Sequence, residues 1–528
     1  MKKLIQIFII LSIAGVSRAQ QSGESQSVEL PEFVITGVRK ISLPPARKAK
    51  PDLVFSNLEN YSAGVEYDEN LFDPGITVPR FLNLTEHKQS SSNGLLKGSV
   101  GNVTFPSGEF FYNNNYGGVF VDANIWGKSE REFVKDAGYN SAGASLGLNY
   151  FIDHNTENFG GLAISFSTKY STDSYNLYGS ATNLTRKTKN GYFNVGLSNN
   201  YSPVRYGFSF AGKYLEFNEN KLSQTMTLIG SYIKFPAGKL NFSVSGNVKI
   251  QKLVNNLSSK DTYSYITFEP EVNYRISRNA EIIGGIFFSR DDINTFFSPK
   301  VRLKTKISGK LSAFAEFSPG TEFLTISDFI NMNRYYSLSQ TENIFLKRNN
   351  SLKFSLEYGF LQYFEIDGTF EYHRFDNLPY FQRDVNPGNF NIYNLNGVDD
   401  FSVAVNSYFD FLDYGKLTLN LKYQIIEKNG AQIPYYPLFK STAVYWYGFE
   451  NGIDVTARMN YSSKIYADVG NTVTVPDYLT IGFSLGYELF DSFKLTLDAD
   501  NLLNRKNYLF ENYRAKTLDI AAGFEYRW

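Results

Sequence analysis

One pattern recurs through most of this 528-residue chain: stretches of roughly 9–13 residues in which every second side chain is apolar. Leu518, Ile520, Ala522, Phe524, Tyr526 and Trp528 alternate with Thr517, Asp519, Ala521, Gly523, Glu525 and Arg527. Leu417, Leu419, Leu421, Tyr423 and Ile425 alternate in the same way with Lys416, Thr418, Asn420, Lys422 and Gln424, and the pattern returns at 239–251, 453–461 and 479–489. Successive strand side chains point to opposite sides, so each stretch has an oily face and a wet one. Strands in water-soluble sheets are mostly about 5–6 residues long, whereas tilted strands that cross a hydrocarbon core need about 9–11. In lipid an open sheet edge leaves backbone groups unpaired, so such strands must close on one another. The expected fold is therefore all-β: a transmembrane antiparallel β-barrel.

Composition agrees. Aromatic residues reach 16% although mean hydropathy is −0.29, which suits a wall alternating between lipid and water. Rings cluster near strand ends, as at Tyr435, Tyr436, Tyr445, Trp446 and Tyr447 and at Phe409, Phe411 and Tyr414, where interfacial girdles are expected. After residue 19 no apolar run reaches the roughly 18 residues a spanning helix needs. The absence of cysteine removes disulfides, thiolate metal sites and thiol nucleophiles. Balanced charge, 52 basic against 52 acidic residues, lacks the footprint of a nucleic-acid binder.

Candidate strands run from 94–104 to 517–528. The expected number is about 22, because single-chain barrels use even counts; 18 or 20 stay open where 107–127 and 318–361 are ambiguous. Ala237-Gly238, Ser308-Gly309, Tyr414-Gly415 and Asp491-Ser492 are tight-turn candidates. The polar stretches 128–140, 171–190, 253–261, 318–341, 374–397 and 464–477 read as long loops. Short turns on one rim and long loops on the outward-facing rim are expected. Lumen residues of both signs, among them Lys239, Lys249, Asp454, Arg458, Glu488 and Asp498, indicate no preference for anions or cations.

The start of the chain is an address. Lys2 and Lys3 precede the apolar run 4–16, and Ser17-Arg18-Ala19 supplies small residues before a cleavage point at Gln20. The expected organisation is a signal peptide over 1–19, a periplasmic segment over 20–93 and an outer-membrane barrel over 94–528, in an envelope of Gram-negative type.

Catalytic chemistry finds little support. His87, His154 and His373 are far apart with no metal-ligand spacing, and Asp153-His154 reads as a solvated turn rather than part of a relay. Asp291-Asp292 and Asp399-Asp400 read as solvated charge rather than calcium ligands. The chain is expected to be no enzyme, with no catalytic residue, no metal and no cofactor.

At the C-terminal end, Asp498 to Tyr508 reads Asp-Ala-Asp-Asn-Leu-Leu-Asn-Arg-Lys-Asn-Tyr, and a final strand ending in an aromatic residue follows. With Asn501, Leu502, Leu503, Asn504 and Tyr508 at the matching positions, this resembles the v-x-N-L-F-N-K-x-Y signature of TonB-dependent receptor barrels. Near the other end, Glu32, Phe33, Val34, Ile35, Thr36 and Gly37 resemble the e-V-V-V-T-G stretch near the TonB box of that family. The resemblance implies a TonB-type periplasmic protein, or a lipoprotein, as partner of residues 32–37, bound by strand addition. It also implies outer-membrane lipid and the barrel-assembly machinery as partners, with Phe524, Tyr526 and Trp528 as the C-terminal assembly signal.

One departure stands out. Residues 20–93 are too short for the family's folded plug, yet a barrel of this size has a wide lumen. Residues 52–93 folded inward as a reduced plug, long loops constricting the lumen, or another chain filling it would each stop a leak, and the first is the expectation. The expected function is passage of a solute through the lumen. The alternatives are an assembly barrel filled by a partner protein and a barrel-borne hydrolase.

Overall fold

The computed structural model describes residues 93–528, apart from 154, 157–158, 181–183, 200–202, 220, 255–261, 339–342, 361–362 and 384–388. The signal peptide, the stretch 32–37 and the expected reduced plug lie outside the described residues.

Every neighbouring pair of strands in the main sheet is antiparallel, and the last strand, Asp519–Arg527, pairs with the first, Gly94–Gly101. At that seam Gly94 N donates to Trp528 O at 3.1 Å. The sheet contains 24 strand segments. Leu311–Phe317 and Gly320–Leu324 both pair with Ile344–Phe360 and form one interrupted strand, and Ala431–Gln432 merely extends the turn after Lys416–Lys428. The result is a closed barrel of 22 strands, matching the expected number. Such a ring is roughly 40 Å across, given strands about 4.8 Å apart tilted by about 40°.

The alternation has its expected meaning. Leu197, Phe208, Ile233, Phe268, Leu356 and Leu497 point outward and are exposed, part of an apolar surface far larger than a soluble protein leaves bare. This is the lipid-facing belt of a membrane barrel. Among the described residues no helix is long and apolar enough to cross a membrane.

Both chain ends of the barrel lie on one rim, where short turns such as 117–118, 238–239, 307–310, 411–415 and 491–492 connect the strands. Gly117 and Gly118 take φ of 59° and 96°, the left-handed conformation that a two-residue hairpin requires. The opposite rim carries 325–343, 377–397, 429–438, 463–477 and 501–518. All four turn candidates fall on the first rim and the long-loop candidates on the second. Strand ends differ most near the long loops: 171–190 is a loop only over 177–184, because Leu162–Asn176 and Thr185–Asn199 extend beyond the belt.

Two assignments need correction. Tyr435 and Tyr436 are not girdle residues; both are buried among the long loops. Asp399 and Asp400 sit inside the strand Val398–Asp410, where Asp399 accepts a hydrogen bond from Tyr372 Oη at 2.9 Å. Asp291 and Asp292 do stand at a turn, where Asp291 accepts from Ile293 N at 2.8 Å.

The loop plate and the lumen as candidate functional site

The long loops do not stand free in solvent. Tyr175, Phe217, Leu253, Phe329, Tyr336, Phe390, Tyr435 and Tyr513 belong to one hydrophobic core, although they come from strand ends and loops around most of the ring. Opposite walls of a ring this wide cannot touch, so the loops must reach across to share a core.

Four loops make the span. The connection 325–343 begins with the helix Ile326–Met332, whose Asp328 carboxylate accepts from Thr325 N at 2.8 Å and so closes the first turn. Gln224, on the strand Ser223–Ala237, holds that end: its Nε2 donates to Thr325 Oγ1 and its Oε1 accepts from Ser327 N, both at 3.2 Å. Beyond the helix, Tyr335 stacks on Tyr513 of the loop 501–518 with centroids 3.5 Å apart. Tyr178 Oη donates to Arg514 O at 2.6 Å, tying 501–518 to the loop 177–184. The hairpin Leu378–Arg383 and Phe390–Leu395 joins through Ser337 N to Phe390 O at 2.7 Å and through Arg383 to Glu511 at 2.5 Å.

One ion pair locks this plate. Arg186, on the sixth strand, is 1% exposed. Its Nε and Nη2 donate to the two oxygens of Glu219 at 2.6 and 3.0 Å, a bidentate pair. Its Nη1 donates to the carbonyls of Arg334 and Tyr336 at 2.8 and 2.9 Å. Those carbonyls belong to a loop rooted at the thirteenth strand, about a third of the way around the ring. Arg334 packs its guanidinium over the rings of Tyr139, Tyr175 and Tyr335, all within about 5.2 Å of their centroids. Burial pushes the Arg334 pKa below its ordinary value, and the same burial pushes the Tyr178 and Tyr435 hydroxyls up.

Beneath the plate the inner wall is polar. From the strand Thr262–Arg275 to Phe364–Asp376 it carries a ladder of ion pairs: Lys300 with Glu269 at 2.8 Å, Arg302 with Glu316 at 3.1 Å and Lys353 with Glu371 at 3.0 Å. Ser351, His373 and Asp400 stand in one row across three strands. They form no relay: His373 Nε2 lies 3.9 Å from Glu371 and its Nδ1 makes no hydrogen bond. Asp153 caps its own turn through Asn155 N at 3.0 Å, and His154 lies outside the described residues. Among the described residues no group of three or more acidic or histidine side chains is arranged to hold a metal.

The C-terminal motif is a joint. Asn501, with φ of 49°, donates from Nδ2 to the carbonyls of Arg505 and Lys516 at 3.0 Å each and accepts from Arg505 N at 3.1 Å. Asn504 accepts from Leu518 N at 3.2 Å. These bonds fix both ends of 501–518 to the wall. Leu502 and Leu503 are exposed, and Tyr508 opens a short hairpin inside the loop. Phe524, Tyr526 and Trp528 face outward at the seam, where Tyr526 and Trp528 stack with centroids 5.7 Å apart. The sequence reading missed Arg186, Glu219 and Arg334–Tyr336. The available signal was large aromatic residues in loops otherwise read as polar, as at Tyr335-Tyr336 and Tyr380-Phe381.

No protein-family model matches the chain, and no curated protein does. Solved structures do match. The siderophore receptor PiuA from Acinetobacter baumannii superposes with a TM-score of 0.63 at 12% identity, over 82% of each chain. PirA, a siderophore receptor from the same organism, gives 0.65 at 10% identity, over 82% of this chain and 80% of its own. The ferric-catecholate import receptor Fiu from K12 E. coli, in a closed form, gives 0.61 at 11% identity, over 83% and 82%. At these identities the likeness establishes the fold alone: a closed barrel of the same architecture as those receptors.

Proposed function

We propose that the chain is an outer-membrane transport protein that passes a solute through its lumen under a gate made of its own long loops. The observation that carries this reading is the combination of a wide polar lumen with a mouth spanned by a locked apolar plate. A permanent pore has no use for that plate, and a purely structural wall has no use for a charged lumen. The fold shared with the siderophore receptors supports the same class of activity. In this reading the plate faces outside, the short-turn rim faces the periplasm, and residues 32–37 add as a strand to a TonB-type partner that supplies energy.

The test is conductance of the purified full-length protein in planar bilayers. The wild type is expected to be nearly silent, and Arg186→Met is expected to open discrete channels. A wild type that conducts like an open porin would overturn the gated reading. Deleting residues 32–37 should abolish energised uptake while leaving the folded barrel in the membrane; unchanged uptake would remove the TonB-type partner from the proposal.

A further inference from the structure

We propose that the inner wall formed by the fifth to ninth strands, Leu162–Asn176 to Leu240–Val254, is an anion-binding face that takes solutes bearing carboxylate, phosphate or sulfate groups. The lumen holds both signs of charge, but they are not spread evenly around the ring. Between residues 185 and 254 the carboxylates are Glu216 and Glu219. Glu219 is taken by Arg186, and Glu216 points outward to Lys189 at 3.1 Å. On the fifth strand Asp173 is taken by Tyr139 Oη at 2.9 Å and Thr188 Oγ1 at 3.2 Å. This arc keeps its cations without carboxylate partners, while the neighbouring wall pairs Lys300, Arg302 and Lys353.

The cations are arranged along the depth of the lumen. Strand register places Lys169, Tyr192 and Lys213 side by side in one inward-facing row, continuing through Met226 to Gln251. Lys249 lies two residues below Gln251 on the same face, and Arg205 and Lys234 form a cross-strand pair near the short-turn rim. None of these five cations makes an ion pair among the described residues. Lys169 and Lys249 instead rest over Trp126 and Tyr265, with Nζ 5.1 and 5.6 Å from the ring centroids.

A second observation points to a ligand. Gln251 is fully buried, yet neither atom of its amide makes a hydrogen bond. The Trp126 indole N–H, beside Lys169, is also buried without a partner. Unmet buried polar groups are costly. Here two unmet N–H donors border a set of unpaired cations, the donor chemistry that an oxyanion satisfies. Low-dielectric walls of one sign also concentrate the oppositely charged solute.

The proposal adds a substrate class to the transport reading, but binding can be measured without transport. Full-length protein in neutral detergent at low salt is titrated with pyranine, a trisulfonated dye, by fluorescence anisotropy. Binding is expected, displaced by tripolyphosphate and not by spermidine. Lys169→Gln/Lys213→Gln/Lys249→Gln should weaken it at least tenfold and flatten its salt dependence. The outward pair Lys187→Gln/Lys252→Gln should leave it unchanged, and heat-modifiable gel mobility reports folding of each variant. If the triple variant fails to fold, Lys249→Gln alone should weaken binding severalfold. Equal binding by folded variant and wild type, or displacement by spermidine as well as by tripolyphosphate, would overturn the proposal. Pyranine binding without any passage of solute would uphold it while refuting the transport reading.

Discussion

Arg186→Met is the sharpest perturbation of the plate. The substitution keeps most of the side-chain volume and removes four charge-assisted hydrogen bonds: two to Glu219 and two to the carbonyls of Arg334 and Tyr336. It strands the Glu219 carboxylate, whose side chain is 11% exposed. Removing one partner of a buried ion pair costs about 3–5 kcal/mol. At about 1.4 kcal/mol per decade this raises the ratio of open to closed plate between about a hundredfold and several thousandfold. The strands below keep their ladder bonds, so the barrel itself should still migrate as a folded, heat-modifiable band. Limited proteolysis reads the difference: cleavage within 325–343 should accelerate by two orders of magnitude or more in intact vesicles. Glu219→Gln, which retains an acceptor, should give a smaller effect. Cleavage of Arg186→Met at the wild-type rate would refute the lock, because no other bond in the plate could then be said to depend on it.

Other outcomes follow from the same contacts. Tyr513→Ala removes a fully buried ring stacked on Tyr335 and should cost about 3–5 kcal/mol locally, read as faster proteolysis within 501–518. Asp519 is buried and accepts from Thr104 Oγ1 at 2.6 Å and Lys516 Nζ at 2.9 Å. Asp519→Ala should weaken the seam by about 2–3 kcal/mol and lower the temperature at which the folded gel band is lost. Asn501→Ala should be worse than Asn501→Gly by about 1–2 kcal/mol in the same assay, since both lose the side-chain bonds but only alanine is strained at positive φ. In the loop 463–477, burial acts to raise the Asp468 pKa, but hydrogen bonds from Val473 N, Thr472 Oγ1 and Thr472 N outweigh it and hold the group below the usual carboxylate range. A depressed pKa contributes stability above the unfolded value, about 3.9, that is lost as pH falls through the folded one. Hydrogen exchange of 463–477, corrected for the intrinsic rate, should therefore report a pH-independent protection near neutrality that falls only in acid.

The barrel is legible in the sequence because its cause is local. Each strand carries its own alternation, and the same two-residue period that separates Leu417 from Lys416 separates lipid from water, so strand number can be counted along the chain. The turn candidates are legible for a similar reason: Ala237-Gly238 and Tyr414-Gly415 are short-range signals. The plate is not, because its energy comes from pairs such as Arg186 with Tyr336 and Tyr178 with Arg514 that lie far apart in sequence. A run such as Tyr435-Tyr436 reads as a membrane-interface pair until its burial among other loops is seen. The lumen illustrates the same limit. Lys213 and Lys300 look alike in sequence; only strand register places carboxylates beside one and none beside the other.

An even number of up-and-down staves returns a chain to the side it left. Gly94 and Trp528 are accordingly neighbours, at the end of the cylinder farthest from the lid. A tug applied at Gly94 enters the cylinder at the end opposite the Arg186 lock. It has to be relayed along the bore, by something moving inside it or by the staves twisting, so handle and latch are mechanically separate parts of one tube.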